Sequence, residues 1–261
     1  MKVLLIQPPD TNEVPFGYPK DYHNKARSYL PPLGLLYLTS YLKPEHEVKV
    51  VDLMAEKKYS EEIIPYISEY QPDLVGLPSI ITLWTDVLKT CAVIKEYDKE
   101  IKIVVGGPNA TKYPTETLSH SNIDYVIVGA GQKPLKALCD QLDNNQEDTN
   151  IENCFPHGIS IDKIIPTKEF IPLDEFPMPD RTALPISMYE VPFAPENPTT
   201  SMMAGQGCPF KCAYCDSKNL KPVKKRGPDR VVEEMEIAQE LGIKSILFQD
   251  ELFTMSSRNV K

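Results

Sequence analysis

Short unbroken apolar runs alternate with helically spaced segments through the first half of the chain. The runs are Val3–Gln7, Val48–Asp52, Leu74–Pro78, Ile101–Gly106 and Tyr125–Val128. They are rich in Val, Ile and Leu and lack polar alternation, as strands buried on both faces do. Between them the spacing predicts helices over Leu33–Leu42, Ser60–Tyr70, Leu83–Tyr97 and Lys133–Leu142, with one short turn at Thr115–Ser119. In Leu83–Tyr97, residues Trp84, Val87, Leu88, Cys91 and Ile94 share one face at i, i+3, i+4 spacing.

The alternation of strand and helix predicts an α/β fold with a five-stranded parallel sheet in the flavodoxin-like order 2-1-3-4-5. The pattern then stops. Asp143–Asp148 is polar and acidic, and nine of the 25 prolines fall between Pro156 and Pro198. This segment, 144–198, reads as a Pro-rich linker of turns and extended backbone with one or two short strands. A second unit begins near Thr199 with the run Ser201–Gly205. It continues through a helix at Arg230–Leu241, with Asp229 as N-cap and Val231, Met235, Ala238 and Leu241 on one face. A buried strand follows at Ser245–Gln249.

Composition adds three constraints. At 261 residues the chain is one large domain or two small ones. Its 28 basic and 37 acidic residues give a net charge of −9, which argues against nucleic acid or an anionic membrane as the main partner. No export signal or membrane span is visible, because Val3–Ile6 is too short and Leu74–Trp84 is broken by Gly76 and Pro78. The expected compartment is therefore the cytoplasm, where six cysteines are metal ligands, catalytic groups or buried thiols rather than disulfides.

Cys208-Pro-Phe-Lys-Cys212-Ala-Tyr-Cys215 has the spacing C-x3-C-x2-C. Gly205, Gly207, Pro209 and Lys211 make it a loop rather than core, and three thiols this close point to a metal or cluster site. Structural zinc is the competitor. It wants four ligands, yet no Cys or His follows Cys215 and the nearest one before Cys208 is His157. Three ligands that leave one iron open suit a catalytic cluster.

These cysteines, with the aromatic Tyr214 before the last, resemble the signature of radical S-adenosylmethionine (SAM) enzymes. In that family three cysteines hold a 4Fe–4S cluster. The amino and carboxylate groups of SAM chelate the fourth iron, and one-electron reduction releases a deoxyadenosyl radical. The stretch Arg226-Gly-Pro-Asp-Arg-Val-Val-Glu-Glu234 and Phe248-Gln-Asp-Glu-Leu-Phe253 resembles the second βα unit of the family's barrel. The resemblance implies that Tyr214 and Asp250 contact SAM, with Asp250 at its methionyl end. Glu251 stands where the family often has a second Asp.

The first half is similar to the cobalamin-binding domain that precedes many such enzymes, through Pro31-Pro32-Leu33-Gly34, Asp73-Leu-Val-Gly76, Val105-Gly-Gly-Pro108 and Asp124-Tyr-Val-Ile-Val-Gly129. The linker matches through Phe176-Pro-Met-Pro-Asp-Arg181. Candidate cobalamin contacts are Ser79, Gly106, Gly107, Gly129 and Gly131; glycines at a strand end let a large planar ligand approach the backbone. The family's Gly-Glu-Gly-Glu is here Gly129-Ala-Gly-Gln132, without either acid. Asp21-Tyr-His23 partly matches Asp-x-His-x-x-Gly, a cobalt-ligating motif, but Ala26 replaces the glycine. A polar loop histidine is the default for His23 and cobalt ligation the minority reading.

Cys91 and Cys139 read as core thiols, and Cys154 has no assignment. Lys221, Lys224, Lys225 and Arg226 read as a solvated basic face, with docking of a flavodoxin or ferredoxin electron donor as the minority reading.

The expected organisation is a cobalamin-binding domain (1–143), a linker (144–198), and the first two βα units of a partial radical SAM (β/α) barrel (199–261). A full eight-stranded barrel takes about 250 residues, so the expectation is a chain truncated at its C-terminus. The implied cofactors are a 4Fe–4S cluster, SAM and cobalamin. The implied chemistry is methyl transfer to, or rearrangement of, an unactivated carbon of a small-molecule substrate. The competing reading is a non-catalytic fragment that binds cobalamin and iron–sulfur.

Overall fold

Val3, Leu4, Leu5 and Ile6 are each no more than 1% exposed, and they form the middle of strand β1 (Lys2–Gln7). They belong to a computed structural model that describes residues 1–11, 30–146, 150–166, 172–215 and 223–255. The chain divides into two units. One comprises the described residues of Met1–Tyr18 and Gly34–Lys168, the other those of Pro19–Leu33 and Glu169–Lys261.

In the first unit β1 lies between β2 (Glu47–Asp52) and β3 (Leu74–Pro78), parallel to both. β4 (Lys102–Gly106) and β5 (Tyr125–Ile127) extend the sheet in parallel, giving the order 2-1-3-4-5. Successive strand residues point to opposite faces, so consecutive buried residues in β1 mean that both faces are covered. Gly76 makes room for this packing, because a Cβ there would lie 2.8 Å from Leu5 Cδ2. A sixth strand, β6 (Cys154–Pro156), pairs antiparallel with β5. It lies in the segment read as linker, and three residues are too few to show a period. Cys154 is 2% exposed there, which gives the unassigned cysteine a place.

Among the described residues six helices accompany these strands: α1 (Leu33–Leu42), α2 (Ile64–Tyr70), α3 (Trp84–Tyr97), α4 (Pro108–Lys112), α5 (Pro114–Leu118) and α6 (Gln132–Asp143). The expected helix over Ser60–Tyr70 is a 3-10 turn, Ser60–Ile63, followed by α2 with a proline in its first turn. Pro65 has no N–H to donate, so the helix restarts there rather than running through. The turn expected at Thr115–Ser119 is α5, opened by Pro114, and a further single turn that the spacing did not predict, α4, opens at Pro108. On α3 the expected face holds: Val87, Cys91 and Ile94 are fully buried, and Trp84 and Leu88 pack against that core.

The second unit contains β7 (Thr199–Met202), β8 (Gly205–Gln206), β9 (Lys224–Lys225), α7 (Pro228–Glu240) and β10 (Ser245–Phe248). β7 and β10 are parallel neighbours, and the excursion between them includes the helix α7 that such a connection needs. β8 and β9 pair antiparallel. Among the described residues β10 pairs with β7 alone, and Leu247 is 46% exposed.

Three expectations for this unit are corrected. The strand is Thr199–Met202, a polar segment, rather than the apolar Ser201–Gly205. Asp229 is not the N-cap; Gly227 is, because Pro228 starts the helix two residues earlier. The buried face of α7 carries Glu234 and Ala238, while Met235 is 38% exposed. A single cluster explains the first and third. Arg181 donates to Thr200 Oγ1, to Ser201 O at 2.9 Å and to Glu234. Arg226 donates to the other oxygen of Glu234 and to Met203 O at 3.0 Å. Arg181, Arg226 and Glu234 are 4%, 5% and 0% exposed, so Arg226 leaves the basic run that read as a solvated face. Lys221 lies outside the described residues.

Among the described residues no helix is long and apolar enough to cross a membrane.

Removing one member of a buried ion cluster strands its partners and costs about 3–5 kcal/mol. Glu234→Ala is therefore expected to destabilise the second unit by that amount in urea unfolding followed by circular dichroism. An unchanged midpoint would show that the cluster contributes nothing net.

Candidate cofactor sites at the strand ends

The cysteine loop leaves the second unit where its two parallel strands end. Gln249 N donates to Met202 O at 2.8 Å, so the residues following β7 and β10 emerge side by side. After β7 the chain runs through Met203, Ala204 and β8 to Gly207 and then Cys208. After β10 it continues as Asp250 and Glu251. Ala204 N donates to Asp250 Oδ2 at 3.0 Å, and Gly207 N donates to Glu251 Oε2 at 2.9 Å. On the far edge β9 pairs with β8, and Arg226 N donates to Ala204 O at 2.9 Å. The segment leading into the cysteines is thus held from both sides. Gly205, Gly207, Lys225, Asp250, Glu251 and Phe253 line a hollow beside it. Partial burial pushes the Asp250 carboxyl above its ordinary range, against the opposing pull of the Ala204 and Gly205 N–H groups, and the neighbouring Glu251 charge adds to the rise.

Cys208 and Cys215 are half-buried, Cys212 is exposed, and all three are free thiols. Cys215 N donates to Cys212 O at 3.1 Å, closing a turn. Tyr214 is 93% and Phe210 61% exposed. Among the described residues no three His, Cys, Asp or Glu side chains converge on a point that would hold a single ion. Three free thiols on one open loop are a donor set that fits a 4Fe–4S cluster, in which each thiolate binds a different iron.

At the strand ends of the first unit, Ser79 follows β3 and is fully buried. Its Oγ donates to Gly106 O at 2.8 Å and accepts from Ala110 N at 3.1 Å, so the hydroxyl joins β3, β4 and α4. Gly107 has φ +94°, and a Cβ there would lie 2.8 Å from Ser79 O and 2.9 Å from Ser79 N. The space saved by this glycine is filled by the chain itself. Gly106 and Gly129 present more open backbone: a Cβ on Gly106 would come no closer than 3.9 Å to Ile127, and one on Gly129 would meet nothing within 4 Å. Gly129 N donates to Thr111 Oγ1 at 2.9 Å. Gly131 caps α6, and a Cβ on it would sit 3.5 Å from Leu38. The open backbone fits the approach of a large planar ligand. His23 lies outside the described residues.

Sequence reasoning gave Arg181, Glu234 and Glu251 no role and read Arg226 only as part of a basic face. Their motifs were visible, but not which carboxylate would face which N–H. Asp86 also escaped notice: it is 1% exposed at the start of α3 and accepts from both the N–H and the hydroxyl of Thr11, in the loop after β1.

Residues 19–139 match the family model described as the B12 binding domain. The chain is 31% identical to an uncharacterized methyltransferase of Pyrococcus horikoshii, with 99% of this chain and 55% of that protein aligned. Its fold matches the radical S-adenosylmethionine methyltransferase TsrM from Kitasatospora setae, solved with cobalamin and a [4Fe-4S] cluster bound. The TM-score is 0.71 at 19% identity, over 99% of this chain and 49% of that one. It also matches the cobalamin-dependent S-adenosylmethionine radical enzyme OxsB, with a TM-score of 0.72 at 16% identity over 97% and 34% of the two chains. The chain spans about half the length of the curated relatives it matches. The fold is therefore like that of TsrM and OxsB. Residues 19–139 are similar to the B12 binding domain and the chain as a whole to the Pyrococcus methyltransferase, in keeping with the family resemblance stated from the sequence.

The six cysteines fall into two chemical sets. Burial pushes the thiols of Cys91, Cys139 and Cys154 up to about 12, and a thiol reacts as its thiolate. Iodoacetamide at pH 8 is expected to label Cys208, Cys212 and Cys215 in the native metal-free chain and to spare the other three, as read by peptide mass spectrometry. Equal labelling of all six would contradict the burial.

Proposed function

We propose that this chain provides the cobalamin-binding and cluster-binding parts of a radical SAM methyltransferase acting on an unactivated carbon of a small molecule. Three free thiols on one open loop, at the end of a parallel strand, carry the reading. In it, residues 1–143 hold cobalamin, 144–198 link, and 199–261 form the first two βα units of a barrel. Cys208, Cys212 and Cys215 would ligate a 4Fe–4S cluster, and Tyr214 and Asp250 would contact SAM. Gly106 and Gly129 would face cobalamin through open backbone, with Gly131 at the same end of the sheet. Ser79 and Gly107 would support that surface by joining β3 to α4.

When bound, these groups supply electron transfer to SAM and a carrier for the methyl group. The protein's own task is positional. Paired strand ends and the two carboxylates set where the cysteine loop leaves the fold, and Ser79 and Gly107 set the ends of β3 and β4. Lys224 and Lys225 leave a basic strand beside the cysteine loop where a flavodoxin or ferredoxin donor would dock.

Anaerobic reconstitution of the chain with iron and sulfide is expected to give about four irons and four sulfides per chain. The reduced form should show a cluster signal in electron paramagnetic resonance, and Cys212→Ala should lose it. Stoichiometric zinc without sulfide, or a signal unchanged in Cys212→Ala, would overturn the assignment.

Titration with hydroxocobalamin is expected to saturate, with the spectral change of a nucleotide tail displaced from cobalt. A His23→Ala spectrum identical to the parent's would confirm that His23 is no ligand. Absence of saturable binding would remove cobalamin from the proposal.

A further inference from the structure

Resting on the cluster reading above, we propose that Glu251 is a positioning residue. Its carboxylate tethers the backbone N–H of Gly207, and so sets where Cys208 leaves the fold. Gly207 N lies 2.9 Å from Glu251 Oε2. Gly207 is buried and has φ +91°, a left-handed turn at the last residue before Cys208. The β8–β9 ladder ends at Gln206, so the buried N–H of Gly207 needs a partner outside it. Glu251 supplies that partner.

The neighbouring Asp250 accepts from Ala204 N at 3.0 Å. Two consecutive carboxylates thus grip two N–H groups three residues apart on the same approach. Beyond Gly207, Pro209 through Tyr214 are exposed. The tether therefore acts on the residue immediately before the first thiol. Reach is part of the argument, because an aspartate at 251 would end about 1.5 Å short, the length of one C–C bond. Such a gap is too wide for a hydrogen bond.

Three variants of the full chain separate reach from charge. E251Q keeps the reach and an acceptor oxygen but removes the charge. E251D keeps the charge and loses the reach. E251A loses both. Amide hydrogen exchange over residues 204–210, measured on the metal-free chain, is expected to be about tenfold faster in E251A and E251D, and within about twofold of the parent in E251Q. After anaerobic reconstitution, iron loss to a chelator should follow the same order. The resonance signal of the reduced cluster should broaden in E251A and E251D only. Equal exchange in all four proteins would overturn the tether, and so would a protected E251D beside an unprotected E251Q, because charge rather than reach would then govern. A parent that takes up no cluster but shows the exchange pattern would support the tether and overturn the cluster reading.

Discussion

One buried carboxylate organises the unit that carries the cysteines. Glu234 accepts from Arg181 on one oxygen and from Arg226 on the other. Through those arginines it connects helix α7, strand β7, the turn after β7 and the Pro-rich segment. A carboxylate and two guanidinium groups taken from water lose several kcal/mol of hydration each. They recover it only if hydrogen bonds occupy their remaining donors and acceptors. Here Thr200 Oγ1, Ser201 O, Met203 O and Arg230 O take arginine donors, while Arg181 Nε is buried without a hydrogen-bond partner among the described residues. Gly227 N donates to Asp174 at 2.8 Å, whose other oxygen stands 4.0 Å from Arg226 Nε. Because the guanidinium fork has fixed geometry, satisfying it at several backbone carbonyls constrains those segments to one arrangement. The cysteine loop starts from that arrangement.

The first unit reaches the same end through strands with apolar middles and through Ser79, Gly106, Gly107 and Gly129 at the C-terminal strand ends, where open α/β sheets place their ligands. Ser79 and Gly107 bring two chain segments into van der Waals contact, and Asp86 holds the loop after β1. These contacts determine which backbone remains open. Gly107 is occupied by its own neighbour while Gly129 faces space. Both units therefore present a candidate site at the end of parallel strands and support it with backbone hydrogen bonds to Ser79 in one and to Asp250 and Glu251 in the other.

The apolar runs and helical spacing alone determined the five parallel strands, the face of α3 and the class of the first unit, because burial on both faces demands continuous apolar residues. The cysteine spacing alone pointed to a cluster loop, because ligand spacing is local. What distance along the chain hides was decided only by the tertiary structure. Thr199–Met202 is a buried strand despite its hydroxyls, since Arg181 from the Pro-rich segment pairs with Thr200 Oγ1 and Thr199 Oγ1 donates to Asn197 Oδ1 at 2.8 Å. Glu234 rather than Met235 faces inward because Arg181, from the Pro-rich segment, and Arg226 neutralise it. Cys154–Pro156 pairs with β5 although it is too short to have a period. Glu251 meets Gly207 because two parallel strands end side by side. In each case a deciding partner lies far away in sequence, and no local pattern of hydrophobic and polar residues carries that information.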